Sequence, residues 1–227
     1  MAQLEGDAKQ AYVAGLFARI ARRYDLMNDL MTLGQHRRWK QDTARLTAKD
    51  CQGISLDIAT GTGDLARALS RQPEIEHSVG LDLLPEMISL GCAKARSQGA
   101  AAKTTLMLGD ALRLPFADGS FACATAGFSL RNMPDLMAAL TEMVRVVKPG
   151  GRITTLELSP MGTGIKSSLF RFCFHRLVPL MGLLIAGNRS AYAYLPQSVN
   201  YFLEADQLAS LFQKLGLVNV WYRRMGW

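Results

Sequence analysis

Apolar side chains recur along this chain with two different periods, which divide it into helical and extended segments. Residues 7–33 place apolar side chains three and four positions apart, as on one face of a long helix. After Gly34, the segment QHRRWKQDTARL predicts a second helix. Downstream, short apolar runs of the strand type alternate with helical patterns. This alternation predicts an α/β fold with a parallel sheet and helices on both of its faces.

The predicted strands and helices follow one another at short intervals. Strands are expected in GISLDIAT, HSVGLDLL, TTLMLGDA, FACATAGFSL and RITTLELS, and a further one begins at VNVWYRR. Helices are expected in GDLARALSRQ, PEMISLGCAKARSQ, MPDLMAALTEMVRVV and EADQLASLFQKLGL. The segment KPGG is expected to end the third of these helices. We expect one domain with four parts: an N-terminal helical cap (1–50), a cofactor-binding core (51–159), an insertion over the carboxyl ends of the strands (160–203), and a C-terminal helix and strand (204–227).

Composition narrows the class of protein. Hydrophobic residues make up 49% of the 227 residues, which is enough for one domain with a buried core. The formal net charge of +7 favours anionic ligands or acidic surfaces, but such a modest excess is more often a matter of solubility, and we expect no nucleic-acid partner. The four cysteines include no C-x-x-C pair, so the sequence predicts neither a metal site nor a disulfide framework.

Two features of the sequence bear on its location. The polar N-terminus lacks the apolar segment of a signal peptide. The longest apolar run, Leu177 to Ala186, has about half the length that a helix needs to span a bilayer. We therefore expect a cytoplasmic protein without a membrane span.

The segment LDIATGTGDLA joins the first predicted strand to the helix that follows it. Gly61 and Gly63 allow a tight turn and the close approach of a ligand, although an ordinary turn or a dinucleotide loop completed by Ala66 would use the same glycines. Asp57 and Asp64 would repel a pyrophosphate at this helix N-terminus, and the Gly-Lys-Ser/Thr of a P-loop is absent from the segment. The loop favours a ligand with a positive centre and no phosphate, such as S-adenosylmethionine.

Acidic residues also end the second and third predicted strands. Asp82, about twenty residues beyond the loop, is placed to accept both ribose hydroxyls of an adenosine ligand, or else to cap the helix that Pro85 opens. Asp110 is placed to accept the adenine amino group, while the amide of Ala111 donates to the ring. Together with Asp57, these carboxylates at successive strand ends predict an S-adenosylmethionine-dependent methyltransferase.

Several stretches of the chain resemble one known family. The similarity to the C-methyltransferases of ubiquinone and menaquinone biosynthesis, the UbiE/MenG family, lies in LFARIARRYDLMNDLMTLGQHRRWK, LDIATGTGDLA, GLDLLPEMI, GDALRLPFADGSF, GFSLRNMPD, VVKPGGRITTLELS and YAYLPQSV. It spans residues 16–222, and YDLMNDLMTLGQHRRWK and LRNMPD are its most particular motifs. The resemblance implies a class I, Rossmann-like methyltransferase that methylates a ring carbon of a polyprenylated quinol, either a demethylmenaquinol or a methoxy-benzoquinol.

The resemblance also implies which residues form the site. The expected contacts to S-adenosylmethionine are Tyr24, Arg38, Asp57, Gly61, Thr62, Gly63, Asp82, Leu83, Asp110, Ala111 and Gly127. Tyr24 and Arg38 would close over the amino-acid end of the cofactor. Phe128, Tyr192 and Tyr194 are expected at the substrate ring, with packing against the insertion as the alternative role of the two tyrosines.

A ring carbon becomes nucleophilic when a neighbouring hydroxyl loses its proton. Arginine is too basic to act as a conventional base, so Arg131 is expected to promote ionisation of the quinol and to stabilise its oxyanion. Asn132 would orient the second oxygen, and the alternative for Arg131 is a surface ion pair with Asp135. His36 is the expected titratable helper, or else a solvated helix residue.

The insertion carries apolar and basic side chains. Residues 166–184 combine leucines and phenylalanines with Lys166, Arg171 and Arg176, which suits a prenyl tunnel or a membrane surface, or else a lid helix packed on the core. The expected partners are a prenylated quinol, the inner face of the membrane as a peripheral contact, and a second copy in a homodimer.

The end of the chain differs from the family pattern. Family members continue past VNVWYRR into a final antiparallel strand, which we expect to be missing here because the last residue is Trp227. The sheet edge would then be open or covered by a partner subunit. Two further functions stay open: methylation of another small aromatic or lipid, and a non-catalytic scaffold subunit of a quinone-synthesis complex.

Overall fold

The computed structural model describes residues 4–160 and 189–225. In this part of the chain the helices are α1 (Gly6–Thr32), α2 (Gln35–Ala48), α3 (Asp64–Ser70), α4 (Pro85–Ser97), α5 (Leu136–Val146), α6 (Arg189–Asn200) and α7 (Ala205–Lys214). The strands are β1 (Gly53–Ile58), β2 (Ile75–Asp82), β3 (Thr104–Leu108), β4 (Phe121–Gly127) and β5 (Val147–Leu156). A short 3₁₀ helix, Leu130–Asn132, follows β4.

The strands form one parallel sheet in the order β3-β2-β1-β4-β5. Because β1 lies between β2 and β4, the strand order reverses beside β1. Loops that leave the carboxyl ends of neighbouring strands at such a reversal diverge and open a crevice. The predicted α/β architecture is confirmed, and it brings the loops after β1, β2 and β4 to one edge of the sheet.

Helices cover the sheet and bury its central strands. Leu56 of β1 and Ala124 of β4 have no exposed surface, and Leu140 and Met143 of α5 pack in the same cluster. A parallel strand that is buried on both faces shows no alternation of polar and apolar residues, which explains the continuous run FACATAG. The predicted amphipathic helix near the C-terminus forms as α7 and packs Phe212 against this core.

Helix α1 packs beside the carboxyl ends of the strands. Its buried residues Leu16, Ile20 and Met27 form a separate cluster with Tyr192 and Tyr194 of α6. The last part of the predicted insertion therefore returns to the first helix of the chain.

Two expectations for the strands change. β5 begins at Val147, directly after α5, so that KPGG lies within the strand instead of before it. The expected strand VNVWYRR is irregular as far as residue 225, and Val218 and Trp221 are 82% and 65% exposed. A strand needs a neighbour for its backbone hydrogen bonds, and within the described residues the outer edge of β5 has none.

The predicted insertion is described in part. Residues 161–188, which include the apolar and basic side chains expected at a prenyl chain, lie outside the described residues, and the remainder forms α6. None of the helices in residues 4–160 and 189–225 has both the length and the apolar character needed to cross a bilayer.

A substitution at Gly151 tests how closely β5 packs against β4. A Cβ atom added there would lie 2.5 Å from the carbonyl oxygen of Ala122. Because this backbone atom has little freedom to move, we expect Gly151→Ala to lower the free energy of unfolding by about 1–3 kcal/mol. Gly15→Ala in α1 is the control, since its Cβ would meet only Arg19 Nη1 at 3.6 Å and alanine favours a helix. Urea unfolding measures both, and two equally stable variants would contradict this packing.

Candidate active site

A cavity lies at the carboxyl ends of the strands, between their loops and helix α1. Its empty space, with the mouth included, measures about 800 Å³. The α1 side is lined by Gln10, Val13, Ala14, Phe17 and Tyr24, and the opposite side by the loops after the strands. A mainly apolar wall with a few polar groups is typical of small-molecule sites.

The cavity brings together many of the predicted site residues. Its lining includes Tyr24, Gly61, Asp82, Leu83, Asp110, Ala111, Gly127, Phe128 and Asn132. Asp57 and Thr62 line a smaller recess, which shares Tyr24, Gly61, Gly127 and Phe128 with the cavity. The cavity and the recess are therefore neighbours along the glycine loop.

Asp82 ends β2 and fixes the glycine loop from the side of the cavity. Its Oδ2 accepts from the backbone N–H of Gly61 at 2.7 Å, and its Oδ1 accepts from the N–H of Leu84 at 3.0 Å. The residue is 8% exposed, and burial raises the pKa of its carboxyl. A carboxylate offers about four acceptor positions, so these bonds leave Asp82 capacity for a ligand hydroxyl.

Asp110 lies beyond β3 and contacts the first helix. Its Oδ1 accepts from the N–H of Leu112 at 2.9 Å, and its Oδ2 accepts from Nε2 of Gln10 at 3.0 Å. Gln10 is not among the site residues expected from the sequence. The signal that would have found it is its position one helical turn before Val13 and Ala14, on the face of α1 that lines the cavity.

Asp57 is almost completely buried under the glycine loop. Its Oδ2 accepts from Thr60 Oγ1 at 2.5 Å and from the N–H of Ala66 at 3.1 Å, and its Oδ1 accepts from Thr125 Oγ1 at 2.8 Å. Burial raises the pKa of Asp57 to about 6, although these hydrogen bonds oppose the shift. Asp57 therefore joins the loop, α3 and β4 at the floor of the recess.

Gly63 serves packing instead of lining the cavity. Its φ of 74° lies in the left-handed region, and an added Cβ would lie 2.9 Å from Cδ1 of Leu106 in β3. Gly61 also has a positive φ, of 56°, but it faces Tyr24 and the cavity. Only the first of the two glycines thus lies at the candidate site.

The predicted role of Asp64 as a carboxylate facing the ligand needs correction. Lys40 Nζ lies 2.9 Å from Oδ2 of Asp64, Lys94 Nζ lies 2.7 Å from Oδ1, and Arg67 is also hydrogen-bonded to Oδ1. Burial by itself would raise the pKa of Asp64, but Lys40 and Lys94 hold it well below its ordinary value. Asp64 is therefore neutralised by cations from three helices.

The same cluster fastens α1 to the glycine loop. Lys94 Nζ also lies 2.7 Å from Oδ2 of Asp25, and Thr62 Oγ1 donates to Oδ1 of Asp25 at 2.8 Å. Thr62, an expected cofactor contact, thus uses its hydroxyl for α1 while it lines the recess.

Arg131 lies behind the cavity wall. Its Nη1 lies 2.6 Å from Oε1 of Glu157 and 2.5 Å from the carbonyl oxygen of Phe128, and its Nε donates to Ser198 Oγ at 3.3 Å. The side chains of Arg131 and Glu157 are 5% and 6% exposed. The alternative ion pair with Asp135 does not form, because Asp135 caps α5 by accepting from the N–H of Ala138.

Asn132 lines the cavity and is held by α6. Its Oδ1 accepts from the hydroxyl of Tyr194 at 3.2 Å, and its Nδ2 makes only a long contact of 3.4 Å with the carbonyl oxygen of Phe128. Phe128 has a φ of 58°, unusual for a bulky residue, and the buried hydroxyl of Ser129 has no hydrogen-bond partner within the described residues. Nδ2 of Asn132 and Oγ of Ser129 are thus polar groups with capacity left at the cavity wall.

Besides Gly63, Arg131 and Tyr194, three further expected site residues line neither the cavity nor the recess. His36 is buried with its Nε2 2.8 Å from Oδ1 of Asp29, and burial lowers the pKa of its imidazole. Arg38 is exposed on α2. Tyr192 is buried among α1 side chains, and this burial raises the pKa of its hydroxyl, which lacks a hydrogen-bond partner in the described part of the chain.

Charged side chains in the cavity wall carry one sign. Among the described residues that line the cavity, Asp82 and Asp110 are acidic and none is lysine, arginine or histidine. Lys40 lines the recess, where it is paired with Asp64. Two carboxylates without a cation between them disfavour a phosphate group and favour hydroxyl and amino donors or a positive charge. This wall suits an adenosine compound that carries positive charge and no phosphate.

Known proteins resemble the chain along most of its length. The model of the ubiE/COQ5 methyltransferase family matches residues 5–227. The demethylmenaquinone methyltransferase of Deinococcus radiodurans is 41% identical, over 90% of this chain and 84% of that protein. The ubiquinone/menaquinone biosynthesis C-methyltransferase UbiE of Dinoroseobacter shibae is 38% identical, over 96% of this chain and 88% of that protein.

Solved structures share the fold at low identity. A methyltransferase from Thermotoga maritima that depends on S-adenosylmethionine aligns with a TM-score of 0.58 and 19% identity, over 89% of this chain and 80% of that chain. Phosphoethanolamine N-methyltransferase 2 of Haemonchus contortus, in complex with S-adenosyl-L-methionine, aligns with a TM-score of 0.55 and 18% identity, over 78% and 37% of the two chains.

Because the Arg131–Glu157 pair is buried, we expect the removal of one partner to lower the stability of the fold strongly. Arg131→Met leaves the charge of Glu157 buried without its partner, and we expect the free energy of unfolding to fall by about 3–5 kcal/mol. Asp118→Asn, which breaks the exposed pair of Asp118 with Arg145, is the control and should cost less than about 1 kcal/mol. Arg131→Met/Glu157→Leu should recover part of the loss. Urea unfolding measures all three, and a double variant no more stable than Arg131→Met would contradict the prediction.

Proposed function

The chain belongs to the ubiE/COQ5 methyltransferase family, and we propose that it uses S-adenosylmethionine to methylate a ring carbon of a polyprenylated quinol in respiratory quinone biosynthesis. The substrate would be a demethylmenaquinol, a methoxy-benzoquinol of the ubiquinone route, or both. The names of the relatives from Deinococcus and Dinoroseobacter support these substrates. The observation that carries the proposal is a cavity with two carboxylates at neighbouring strand ends and no cationic side chain among its described lining residues.

The residues of the cavity fit this cofactor. We assign the ribose hydroxyls to Asp82, whose carboxylate keeps open acceptor capacity. Asp110 and the backbone of Ala111 would bind the adenine, and Gly61 lets the backbone approach. The recess at Asp57 would take the amino-acid end. When bound, S-adenosylmethionine supplies an electrophilic methyl group on a positively charged sulfur.

The chain's own contribution at the substrate end is to orient the ring and to stabilise negative charge. We assign Nδ2 of Asn132 to one ring oxygen, where a donor favours ionisation of the hydroxyl and increases the electron density on the neighbouring carbon. The hydroxyl of Tyr194 fixes the orientation of the Asn132 amide by donating to Oδ1. Phe128 would form the apolar wall beside the ring.

Arg131 takes a different role in this proposal from the one expected from the sequence. Its guanidinium is engaged by Glu157, by the carbonyl oxygen of Phe128 and by Ser198. We therefore propose that Arg131 is a positioning residue, which holds Phe128 and Asn132 in the cavity wall. The oxyanion itself would be stabilised by Asn132.

The proposal extends to the organisation and location of the chain. The N-terminal helices would cap the cofactor, since α1 lines the cavity and Asp25 is fastened to Thr62 and Lys94 of the core. The segment 160–203 would shelter the prenyl chain. We propose a cytoplasmic enzyme that acts at the inner face of the membrane, where its lipid substrate resides.

A variant of Asp82 tests the proposal. We expect Asp82→Asn to weaken S-adenosylmethionine binding in a calorimetric titration by about 10- to 100-fold, because hydrogen bonds to a charged group contribute about 1.5–3 kcal/mol. Methyl transfer from labelled donor to demethylmenaquinol and to the methoxy-benzoquinol, followed by the mass of the product, then identifies the substrate.

Asp118→Asn serves as the control, because this carboxylate pairs with Arg145 away from the cavity. Absence of cofactor binding to the native chain would refute the methyltransferase proposal. Binding without methylation of either quinol would refute the proposed substrate. The chain would then be a scaffold subunit or a methyltransferase of another acceptor.

The raised pKa of Asp57 predicts that cofactor binding depends on pH. Burial raises the pKa of Asp57 to about 6 in the free protein, and a positive ligand in the recess lowers it, so binding releases a proton. The affinity for S-adenosylmethionine should therefore rise as the pH increases from about 5 to about 7 and then level off. Calorimetry in buffers of different ionisation enthalpy measures the number of protons released on binding. Asp57→Asn should remove this dependence, and a flat profile for the native protein would contradict the assignment.

A further inference from the structure

The outer face of α1 has an unusual composition. Between residues 17 and 33 the exposed positions are Arg19, Arg22, Arg23, Leu26, Leu30 and Leu33, and no other residue type is exposed there. Spacings of three and four place these six residues on one side of the helix. We call them the Arg/Leu face. Leu26, Leu30 and Leu33 are 50%, 39% and 76% exposed, so each leucine keeps substantial contact with solvent.

The charge of the Arg/Leu face is positive and largely free. Arg19, Arg22 and Arg23 form no ion pair with any residue in 4–160 or 189–225. The carboxylates of the helix within residues 17–33 are engaged elsewhere: Asp25 binds Lys94 and Thr62, and Asp29 binds His36 and Arg37. The surface that remains attracts a negatively charged partner.

The tip of the Arg/Leu face is a strained, exposed leucine. Leu33 directly follows α1 as its C-cap, with a φ of 50° in the left-handed region that bulky side chains rarely adopt. Its side chain contributes little to the core, since 76% of the residue is exposed. Exposed Arg38 follows in α2, across the turn at Gly34. A projecting apolar residue between basic side chains suits insertion into an interface that is apolar below and anionic above.

We infer that the Arg/Leu face docks on an anionic lipid bilayer, with the leucines among the acyl chains and the arginines at the headgroups. The inference rests on the proposed function, because a prenylated quinol lies in a membrane. The opposite face of α1, through Val13, Phe17 and Tyr24, lines the cavity. One helix thus separates the site from the bilayer.

Vesicle binding by the full chain tests the inference. We measure co-sedimentation with neutral phosphatidylcholine vesicles and with vesicles that also contain phosphatidylglycerol. Binding should require the anionic lipid and weaken with salt. Arg22→Gln/Arg23→Gln should weaken it roughly 25-fold, because each basic residue near such a surface contributes about 1 kcal/mol. Lys103→Gln/Lys214→Gln, which removes the same charge from exposed positions on other elements, should leave binding within about twofold of the native chain.

The leucines are tested separately. Leu26→Gln/Leu33→Asn should weaken vesicle binding at least tenfold without loss of stability, since asparagine tolerates the positive φ of position 33. Methyl transfer to a water-soluble quinol with a short tail, assayed without vesicles, should remain at the native level in both the arginine variant and the leucine variant. A lack of this activity in the native chain would refute the proposed function and not the docking surface.

Two results would overturn the inference. One is vesicle binding that the arginine and leucine variants leave unchanged. The other is a native dimer in sedimentation velocity that Leu26→Gln/Leu33→Asn dissociates, which would identify the Arg/Leu face as a contact between two copies of the chain.

Discussion

The site depends on one buried carboxylate. Asp57 has 1% of its surface exposed, and a group so buried is tolerated only when its oxygens are satisfied by donors. Those donors are Thr60 in the glycine loop, the N–H of Ala66 in α3 and Thr125 in β4. Because the donors come from three elements, the carboxylate fixes the loop relative to the sheet. The glycine loop takes its shape from this constraint as much as from its glycines.

Charge is divided between two sides of the glycine loop. Lys40, Arg67 and Lys94 converge on Asp64 and fasten three helices together, outside the cavity. The described cavity wall keeps only carboxylates, Asp82 and Asp110. An ion pair that holds helices together therefore leaves the local field in the cavity negative, which is what a cationic cofactor requires.

Helix α1 joins the site, the scaffold and the outer surface. Its cavity face contacts Asp110 through Gln10, its buried face packs against α6, and its outer face consists of arginine and leucine. Helix α6 in turn reaches the cavity wall through Tyr194 and Ser198, which bind Asn132 and Arg131. The segments at the two ends of the sequence thus complete a site whose centre is built by the strands.

The sequence by itself determined the parallel sheet, the family and the carboxylates at the strand ends, because hydrophobic period and loop chemistry are local properties that survive without tertiary context. It did not determine the direction of long side chains. Arg131 follows β4 as expected, yet its guanidinium turns to Glu157, which lies twenty-six residues away and becomes a neighbour only through β4–β5 pairing. In the same way, Asp64 meets Lys94, and within residues 4–160 and 189–225 no strand lies beside VNVWYRR. These side-chain contacts and strand pairings depend on partners distant in sequence. Only the tertiary structure brings those partners within the few ångströms over which hydrogen bonds and ion pairs act.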